Sequence, residues 1–264
     1  RVGIAVSDDR DIRGKHQRLD QLSEEEMAEV EKTYTKNLSD WYASFEKKAQ
    51  TALGISTDDK RKELNILKDE FEKEGLNSRI VATTHKFVIM PMVGPLVPGY
   101  LLIVPKEHCL SISQLPKNQI EELKIIKEEL KKVFEQNYGK SVFYEHGALS
   151  CSAKGGSCSD HAHLHIVAVD TDVKDKFHKY GYELRSLKDY NEILNQKTRN
   201  IPYLYYENQN GEMFLADAPV VESQFIRKLI AKDINALDRA LWNENIRKDW
   251  MIEIIKKLRP HFEK

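Results

Sequence analysis

The sequence predicts an α+β fold in which an antiparallel sheet carries one long amphipathic helix. Apolar segments of strand length precede a helical segment from about residue 77, and others follow it up to about residue 172. Short apolar or alternating runs bounded by turn residues are typical of strands, whereas apolar residues every three or four positions are typical of helices. Strands gathered before and after a single helix favour the α+β class.

Composition agrees with a globular chain. The chain is 41% hydrophobic and 31% charged. Its length of 264 residues is sufficient for one large domain or two small ones. A net charge of −1 provides no bulk field, so neither nucleic acid nor a membrane is expected as the main partner. Three cysteines without a secretory signal favour reduced thiols and a cytoplasmic setting.

Residues 1–76 predict an N-terminal helical arm. Ser23 and Glu26 have the spacing of a capping box, and apolar residues follow at intervals of three and four. A second helix is predicted from about Ser56. Packing against the rest of the molecule or against a twin subunit is the simplest role for such an arm, and a binding role of its own is the alternative.

Residues 77–172 predict the sheet domain. Residues 79–90 alternate around a polar turn, as in a hairpin, and 87–105 carry no charged residue. Pro91, Pro95 and Pro98 oppose a membrane helix there and favour two buried strands joined by a loop. An amphipathic helix is predicted over 116–139, and further strands over 141–147 and 161–169.

Residues 173–264 predict a mixed C-terminal extension. A hairpin is expected to turn at Asn210–Gly211, because Asn-Gly suits a two-residue turn. Helices are predicted near 220–232 and 245–258.

Three histidines occupy every second position of one apolar segment, at His161, His163 and His165. Alternate side chains of a strand share a face, so this spacing places three imidazoles together. Imidazole can act as a nucleophile, a general acid or base, or a metal ligand. A neutral central ring could attack an electrophile while its neighbours move protons and stabilise oxyanions. Ordinary packing or surface histidines are the simpler alternative.

The segment before these histidines is suited to an anion. A Gly-Gly pair allows close backbone approach, and the following amides and hydroxyls can donate hydrogen bonds. Its candidate phosphate-binding residues are Lys154, Gly156, Ser157, Cys158 and Ser159.

A metal site is a second interpretation of the same region. Cys151, Cys158 and the histidines are ligand types that zinc prefers. The spacing Cys-x6-Cys-x2-His is not usual for a closed structural site, so no metal is predicted.

The segment from His161 to Val167 resembles the signature of the histidine-triad superfamily, in which three histidines alternate with apolar residues. The upstream segment Pro98–Ile112, the helix after it and the Gly-Gly-x-Ser-like element match the family in order and spacing. The resemblance covers about 78–170 and looks closest to bacterial and phage members with a C-terminal extension.

The resemblance implies an enzyme that cleaves at the α-phosphate of a nucleotide through a nucleotidyl-histidine intermediate. His163 would be the nucleophile, and His161 and His165 would orient it, bind phosphate and assist proton transfer. The implied substrate is a dinucleoside polyphosphate, a nucleoside phosphoramidate or an adenylylated compound, with an adenine nucleotide expected and no cofactor required. A homodimer is also implied. A non-catalytic nucleotide-binding scaffold and a deadenylylating enzyme of nucleic-acid ends remain alternatives.

Four positions depart from the family pattern and leave the substrate open. Met92 stands where an acidic ribose ligand is common, Cys158 where serine is common, and Tyr100 where a further histidine is common. Glu145 stands in place of an asparagine and is predicted to accept from both ribose hydroxyls.

Three more residues are candidates for the site. His146 follows Glu145 at a strand end and is a further proton carrier or a supporting histidine. Gln224 and Arg227 lie one turn apart on a predicted helix, so they would share a face that contacts phosphate or solvent.

Overall fold

The computed structural model describes residues 73–76, 78–149, 161–242 and 245–263. These residues belong to a compact unit that begins at Glu70. The predicted helical arm lies outside the described residues, apart from its last few positions. The predicted phosphate-binding segment at 154–159 also lies outside them.

Eight strands form one sheet in the described part of the chain, and all of their printed pairings are antiparallel. The order across the sheet is β1-β2-β3-β5-β4-β7-β8-β6. The strands are β1 (Ala82–Thr83), β2 (Phe87–Pro91), β3 (Tyr100–Pro105), β4 (Ser141–Gly147), β5 (Leu164–Ala168), β6 (Arg185–Leu187), β7 (Tyr203–Glu207) and β8 (Met213–Asp217).

Four α-helices accompany the sheet in the described ranges: α1 (Lys117–Asn137), α2 (Asn195–Arg199), α3 (Phe225–Asp233) and α4 (Lys248–Leu258). Short 3₁₀ segments connect them, at Ile112–Gln114, Lys174–Tyr180, Tyr190–Leu194, Leu237–Arg239 and Arg259–His261. None of the helices in these ranges has the length and apolarity needed to cross a bilayer. The predicted α+β class is confirmed.

The uncharged segment 87–105 forms two fully buried strands, β2 and β3, as its prolines indicate. Residues 92–99 join them, and Gly94 in this loop has a positive φ of 66°. The hairpin predicted at Asn210–Gly211 is β7–β8.

Helix α1 packs one apolar face against the sheet. Its predicted core positions are buried except Val133, which is half-buried; the buried ones are Ile120, Leu123, Ile126, Leu130 and Phe134. Lys127 is also buried. Its ammonium pairs with the Glu207 carboxylate and donates to Tyr205 Oη at 3.0 Å. A buried charge needs such partners to offset its desolvation. This ion pair places α1 over the face of the sheet on which Tyr205 lies.

The C-terminal extension continues the same sheet. Strand β7 pairs with β4 over its whole length, from Phe143↔Glu207 to Gly147↔Tyr203. The predicted segments 77–172 and 173–264 therefore share one sheet in the folded chain. The pairing covers an edge of β4 that would otherwise expose unpaired backbone groups.

Candidate active site

The histidine motif lies at the start of β5, in the middle of the sheet. Regular pairing begins at Leu164, so the strand is shorter than predicted, and His161 and His163 precede it. Before Leu164 the backbone is not part of the sheet ladder, since Ala162 N donates to Cys109 O at 2.7 Å instead of to a neighbouring strand. The rings of His163 and His165 still lie together, with centroids 4.7 Å apart.

His161 is held as a neutral ring. It is 3% exposed, and its Nε2 lies 2.8 Å from Pro105 O. A carbonyl oxygen only accepts, so Nε2 carries the proton and donates it. Burial, as the largest cause, lowers the pKa of His161 to about 4. The lone pair of this ring is therefore on Nδ1 at neutral pH.

His163 has the opposite tautomer. Its Nδ1 lies 2.9 Å from the backbone oxygen of His161, so Nδ1 is the protonated nitrogen and donates. Burial lowers the pKa of His163, which favours the neutral ring. The lone pair is consequently on Nε2, which is the arrangement that a nucleophilic imidazole requires.

His165 lies between two tyrosines. Its ring stacks on Tyr144 with centroids 4.3 Å apart and planes 9° apart, and its Nδ1 lies 3.0 Å from Tyr100 Oη. Burial and then the positive charge that His163 can carry hold the pKa of His165 well below its usual range, with smaller contributions from His146 and Arg227. All three imidazoles of the motif are thus neutral at pH 7.

His146 reaches the same face of the sheet as His165. It lies two residues after Tyr144 on β4, and the two rings are 6.3 Å apart. His146 Nε2 accepts a hydrogen bond from Ile226 N at 3.2 Å. The histidine therefore connects the edge of the site to the first turn of α3.

Glu145 faces away from the histidines, and the predicted ribose contact is not supported. Its side chain is 1% exposed on the α1 side of the sheet. One carboxylate oxygen accepts from Ile112 N at 2.8 Å and the other from Tyr203 Oη at 2.6 Å. Burial, the largest cause, raises the pKa of Glu145 to about 7. The physical reason for the correction is strand alternation, since both neighbours of Glu145 point to the histidine face.

Arg227 is buried beneath the site. It is 2% exposed, and its guanidinium donates to Ala240 O at 2.8 Å, Gly94 O at 2.6 Å and Arg239 O at 2.8 Å. The guanidinium carbon lies 5.6 Å from the Tyr100 ring centroid. The side chain therefore places positive charge next to Tyr100. Its Nε and Nη2 donate to backbone carbonyls, and its buried Nη1 has no hydrogen-bond partner among the described residues.

Gln224 does not share a helical face with Arg227, contrary to the prediction. Helix α3 begins at Phe225, and Gln224 precedes it as the N-cap, with a left-handed φ of 62°. Its Oε1 is buried and has no hydrogen-bond partner among the described residues.

Sequence reasoning missed Tyr144 and the contact of Tyr100 with His165. Tyr100 stood out only as a departure from a family pattern, and Tyr144 not at all. Only the strand register could have identified them, since Tyr144 pairs with His165 between β4 and β5. The predicted phosphate-binding residues and Cys151 lie outside the described ranges. Within those ranges, no group of three or more His, Cys, Asp or Glu side chains could hold a metal ion.

A family model described as the scavenger mRNA decapping enzyme C-terminal binding domain matches residues 60–181. This range contains the whole histidine motif, α1 and strands β1 to β5.

Two curated proteins are similar in sequence. A zinc finger CCCH domain-containing protein 59 from Oryza sativa is 29% identical over 188 residues, which are 64% of this chain and 29% of that protein. A bis(5′-adenosyl)-triphosphatase from Dictyostelium discoideum is 23% identical over 137 residues, which are 50% of this chain and 89% of that protein. The chain thus spans about three tenths of the rice protein and most of the other.

Solved structures of small proteins are similar over part of the chain. A HIT family hydrolase from Clostridium thermocellum is 23% identical, covers 40% of this chain and 91% of its own, and has a TM-score of 0.28. A hypothetical histidine triad nucleotide-binding protein from Sulfolobus tokodaii is 15% identical, covers 49% and 89%, and has a TM-score of 0.31.

The finer resemblance to bacterial and phage members stays a prediction. The motif His-Ala-His-Leu-His-Ile-Val enters a central antiparallel strand, and the matching family model covers it. On these grounds residues 60–181, just under half of the chain, resemble the histidine-triad superfamily.

Proposed function

We propose that this protein is a nucleotide hydrolase or transferase in which His163 attacks the α-phosphate of its substrate. The observation that carries the proposal is the hydrogen bond from His163 Nδ1 to the His161 carbonyl at 2.9 Å. This bond fixes the proton on Nδ1 and puts the lone pair on Nε2 of a neutral ring. A nucleophilic imidazole needs this state before any substrate arrives.

The reaction has two displacements at phosphorus. In the first, His163 Nε2 forms a bond to the α-phosphorus, and the bond from that phosphorus to the leaving group breaks. The leaving group departs with the electron pair of the broken bond and takes up a proton from a neighbouring donor or from water. In the second, a water or another acceptor hydroxyl bonds to phosphorus, loses its proton, and the phosphorus–Nε2 bond breaks to restore His163.

Neighbouring residues support these steps in different ways. His165, whose ring centroid lies 4.7 Å from that of His163, is proposed to contact a phosphoryl oxygen. His161 orients His163 through its backbone carbonyl. Lys154, Gly156, Ser157, Cys158 and Ser159 are proposed to hold the phosphate groups through their amides, hydroxyls and charge.

The proposed substrate class is a dinucleoside polyphosphate with at least one adenosine. Its support is the Dictyostelium discoideum relative, a bis(5′-adenosyl)-triphosphatase that aligns over 89% of its own length. Nucleoside phosphoramidates and adenylylated compounds present the same α-phosphate and belong in the same assay. Glu145 has no part in this proposal, because its carboxylate lies on the other face of the sheet.

A second candidate substrate is an mRNA cap nucleotide. The family model that matches residues 60–181 carries the description of a scavenger decapping enzyme. A cap is itself a 5′–5′ dinucleoside triphosphate, so the same attack by His163 applies. The order of kcat/KM for diadenosine triphosphate and for a methylated cap dinucleotide distinguishes the two.

The test compares His163→Ala with the full chain on this substrate panel. Loss of an acting nucleophile is expected to lower kcat by roughly 1,000-fold or more. His178→Ala is the matched control, since His178 is exposed in the 3₁₀ segment at Lys174–Tyr180. Circular dichroism checks that both variants fold. Near-normal turnover by folded His163→Ala would contradict the proposal.

A further inference from the structure

Two tyrosines and His165 form a buried hydrogen-bonded row on the histidine face of the sheet. Tyr100 Oη lies 3.0 Å from His165 Nδ1, and it also bonds to Tyr144 Oη. Tyr100 and Tyr144 are both at most 1% exposed. The row crosses three adjacent strands, β3, β5 and β4, so its members are held by the sheet rather than by a loop.

The number of protons in this row decides the direction of its bonds. Tyr100 Oη has a single proton, so it can donate to only one of Tyr144 and His165. If Tyr100 donated to Tyr144, the Tyr144 proton would need another acceptor, and the described residues offer none. A buried unsatisfied hydroxyl costs about 1–3 kcal/mol. If Tyr144 donates to Tyr100 and Tyr100 donates to His165 Nδ1, both protons are used.

The positive charge of Arg227 favours the same direction. Its guanidinium carbon lies 5.6 Å from the Tyr100 ring centroid. Burial raises the pKa of Tyr100, and the charge of Arg227 opposes part of that rise. A nearby cation stabilises negative charge on a phenol oxygen, so it makes that hydroxyl a better donor. The same cation disfavours protonation of His165, which keeps Nδ1 available as an acceptor.

We propose that Tyr100, with Tyr144 orienting its hydroxyl, is a positioning residue that fixes the proton of His165 on Nε2. A neutral ring that accepts at Nδ1 must carry its proton on Nε2. Each of the two outer imidazoles then donates through Nε2, His161 to the backbone and His165 toward the substrate. With the proposed function, on which this consequence rests, the Nε2–H of His165 donates to a phosphoryl oxygen during attack by His163. The other tautomer would present a lone pair to that anionic oxygen and repel it.

The decisive measurement is nitrogen NMR of the full chain labelled with ¹⁵N-histidine, without substrate. The two nitrogens of a neutral imidazole give clearly separate protonated and unprotonated shifts, and the spectrum of His165→Gln identifies the signals of His165. The expected result is a protonated Nε2 and an unprotonated Nδ1 at neutral pH. A proton on Nδ1 of His165 would overturn the proposal. Because no turnover is involved, this result is independent of whether the proposed function holds.

The variant Tyr100→Phe tests the cause. Removing the donor is expected to release the tautomer, so the His165 signals move toward an average of the two forms. Tyr190→Phe is the matched control, because Tyr190 is a buried tyrosine whose hydroxyl has no hydrogen-bond partner among the described residues. A wild-type His165 spectrum in folded Tyr100→Phe would overturn the proposal. If Tyr100→Phe does not fold, the wild-type spectrum still decides the tautomer.

The catalytic consequence is measured on the active enzyme. Removal of one oxyanion donor typically lowers kcat by roughly 100- to 1,000-fold. Partial loss of the Nε2–H tautomer in Tyr100→Phe should lower kcat in proportion to the population lost, about twofold when the two tautomers are equally populated, with little change in KM. An unchanged kcat in a variant whose tautomer is released would overturn the assigned role of His165 as donor and leave the tautomer finding in place.

Discussion

At the scale of the residue, the candidate site consists of three neutral imidazoles, each oriented by a different oxygen. The Pro105 carbonyl accepts from His161 Nε2, the His161 carbonyl accepts from His163 Nδ1, and the Tyr100 hydroxyl meets His165 Nδ1. Identical side chains thus acquire different tautomers from their surroundings. The backbone does this for the first two rings, so only the third depends on a side chain that a single substitution can remove.

Glu145 is expected to make stability depend on pH. The ordinary pKa of a glutamate carboxyl is 4.5, and burial raises the pKa of Glu145 to about 7 in the folded chain. A carboxyl with a raised folded pKa favours folding below its unfolded pKa, and this contribution is lost as the pH rises through the folded value. Relative to Glu145→Gln, the wild-type protein should therefore lose about 1–3 kcal/mol of unfolding free energy between pH 4.5 and pH 8.

Urea unfolding of both proteins at several pH values measures this difference. Glu253→Gln is the control, since Glu253 is exposed on α4. A constant gap between wild type and Glu145→Gln across the range would show that the carboxyl does not titrate as described.

At this scale the sequence predicted local geometry where one period decided it. The alternation of His161, His163 and His165 predicted a shared site, and the rings of the latter two do meet. The same period-two rule shows why Glu145 cannot join them, since Tyr144 and His146 occupy the histidine face. The resemblance to a family position outweighed that rule. The tyrosine row depends on the register of β3, β4 and β5, which no local pattern contains.

At the scale of the element, strand β4 joins the strands of the histidine segment to the strands of the C-terminal extension. It pairs with β5 on one edge and with β7 on the other. Its last residue, Gly147, lies against the Tyr203 ring so closely that an added methyl would overlap it. Tyr203 in turn donates to Glu145 at 2.6 Å. A glycine at the end of β4 therefore leaves room for the Tyr203 ring of the neighbouring strand β7.

Gly147→Ala should destabilise the protein by about 1–3 kcal/mol, the usual cost of overpacking. Tyr203→Leu replaces the ring that the methyl meets with a smaller side chain. The double variant should consequently be less destabilised than the sum of the two single variants, as neighbouring sites often are. Thermal unfolding of the four proteins measures the coupling. Strict additivity would contradict the described contact.

Long periodic elements were predictable, and their long-range partners were not. The apolar face of α1 could be read from its period of three and four. The burial of Lys127 could not, because Glu207 lies eighty residues later and reaches it only through the β4–β7 pairing. Similarly, α3 was expected near 220, but it begins at Phe225 after a left-handed N-cap at Gln224.

At the scale of the whole molecule, the segment before residue 172 and the extension share their hydrogen bonds and charges. Strand β7 covers the edge of β4, Glu207 neutralises Lys127, and Tyr203 satisfies Glu145. Arg259, just past α4, donates to Ser78 O at 2.8 Å and so ties the end of the extension to the beginning of the sheet segment. The described residues are therefore expected to unfold together.

A chain shortened to residues 1–172 should not reach the stability of the full chain. It would expose the edge of β4 and leave Lys127 buried without its carboxylate, which costs roughly 3–5 kcal/mol for a buried pair. Low soluble yield and loss of a cooperative unfolding transition are expected. Co-expression of residues 173–264 should restore both. A cooperative transition at wild-type temperature for 1–172 alone would show that the extension is not needed for folding.

The central claim is that His163 becomes covalently bound to the nucleotide. The measurement is rapid quenching of the full chain with diadenosine triphosphate during the first turnover, followed by intact-mass analysis and peptide mapping. The account predicts a mass gain of one adenylyl group on the peptide that contains His163, and no gain in His163→Ala. Product formation during the first turnover with an unmodified His163, or an adenylyl group on a different residue, would contradict it.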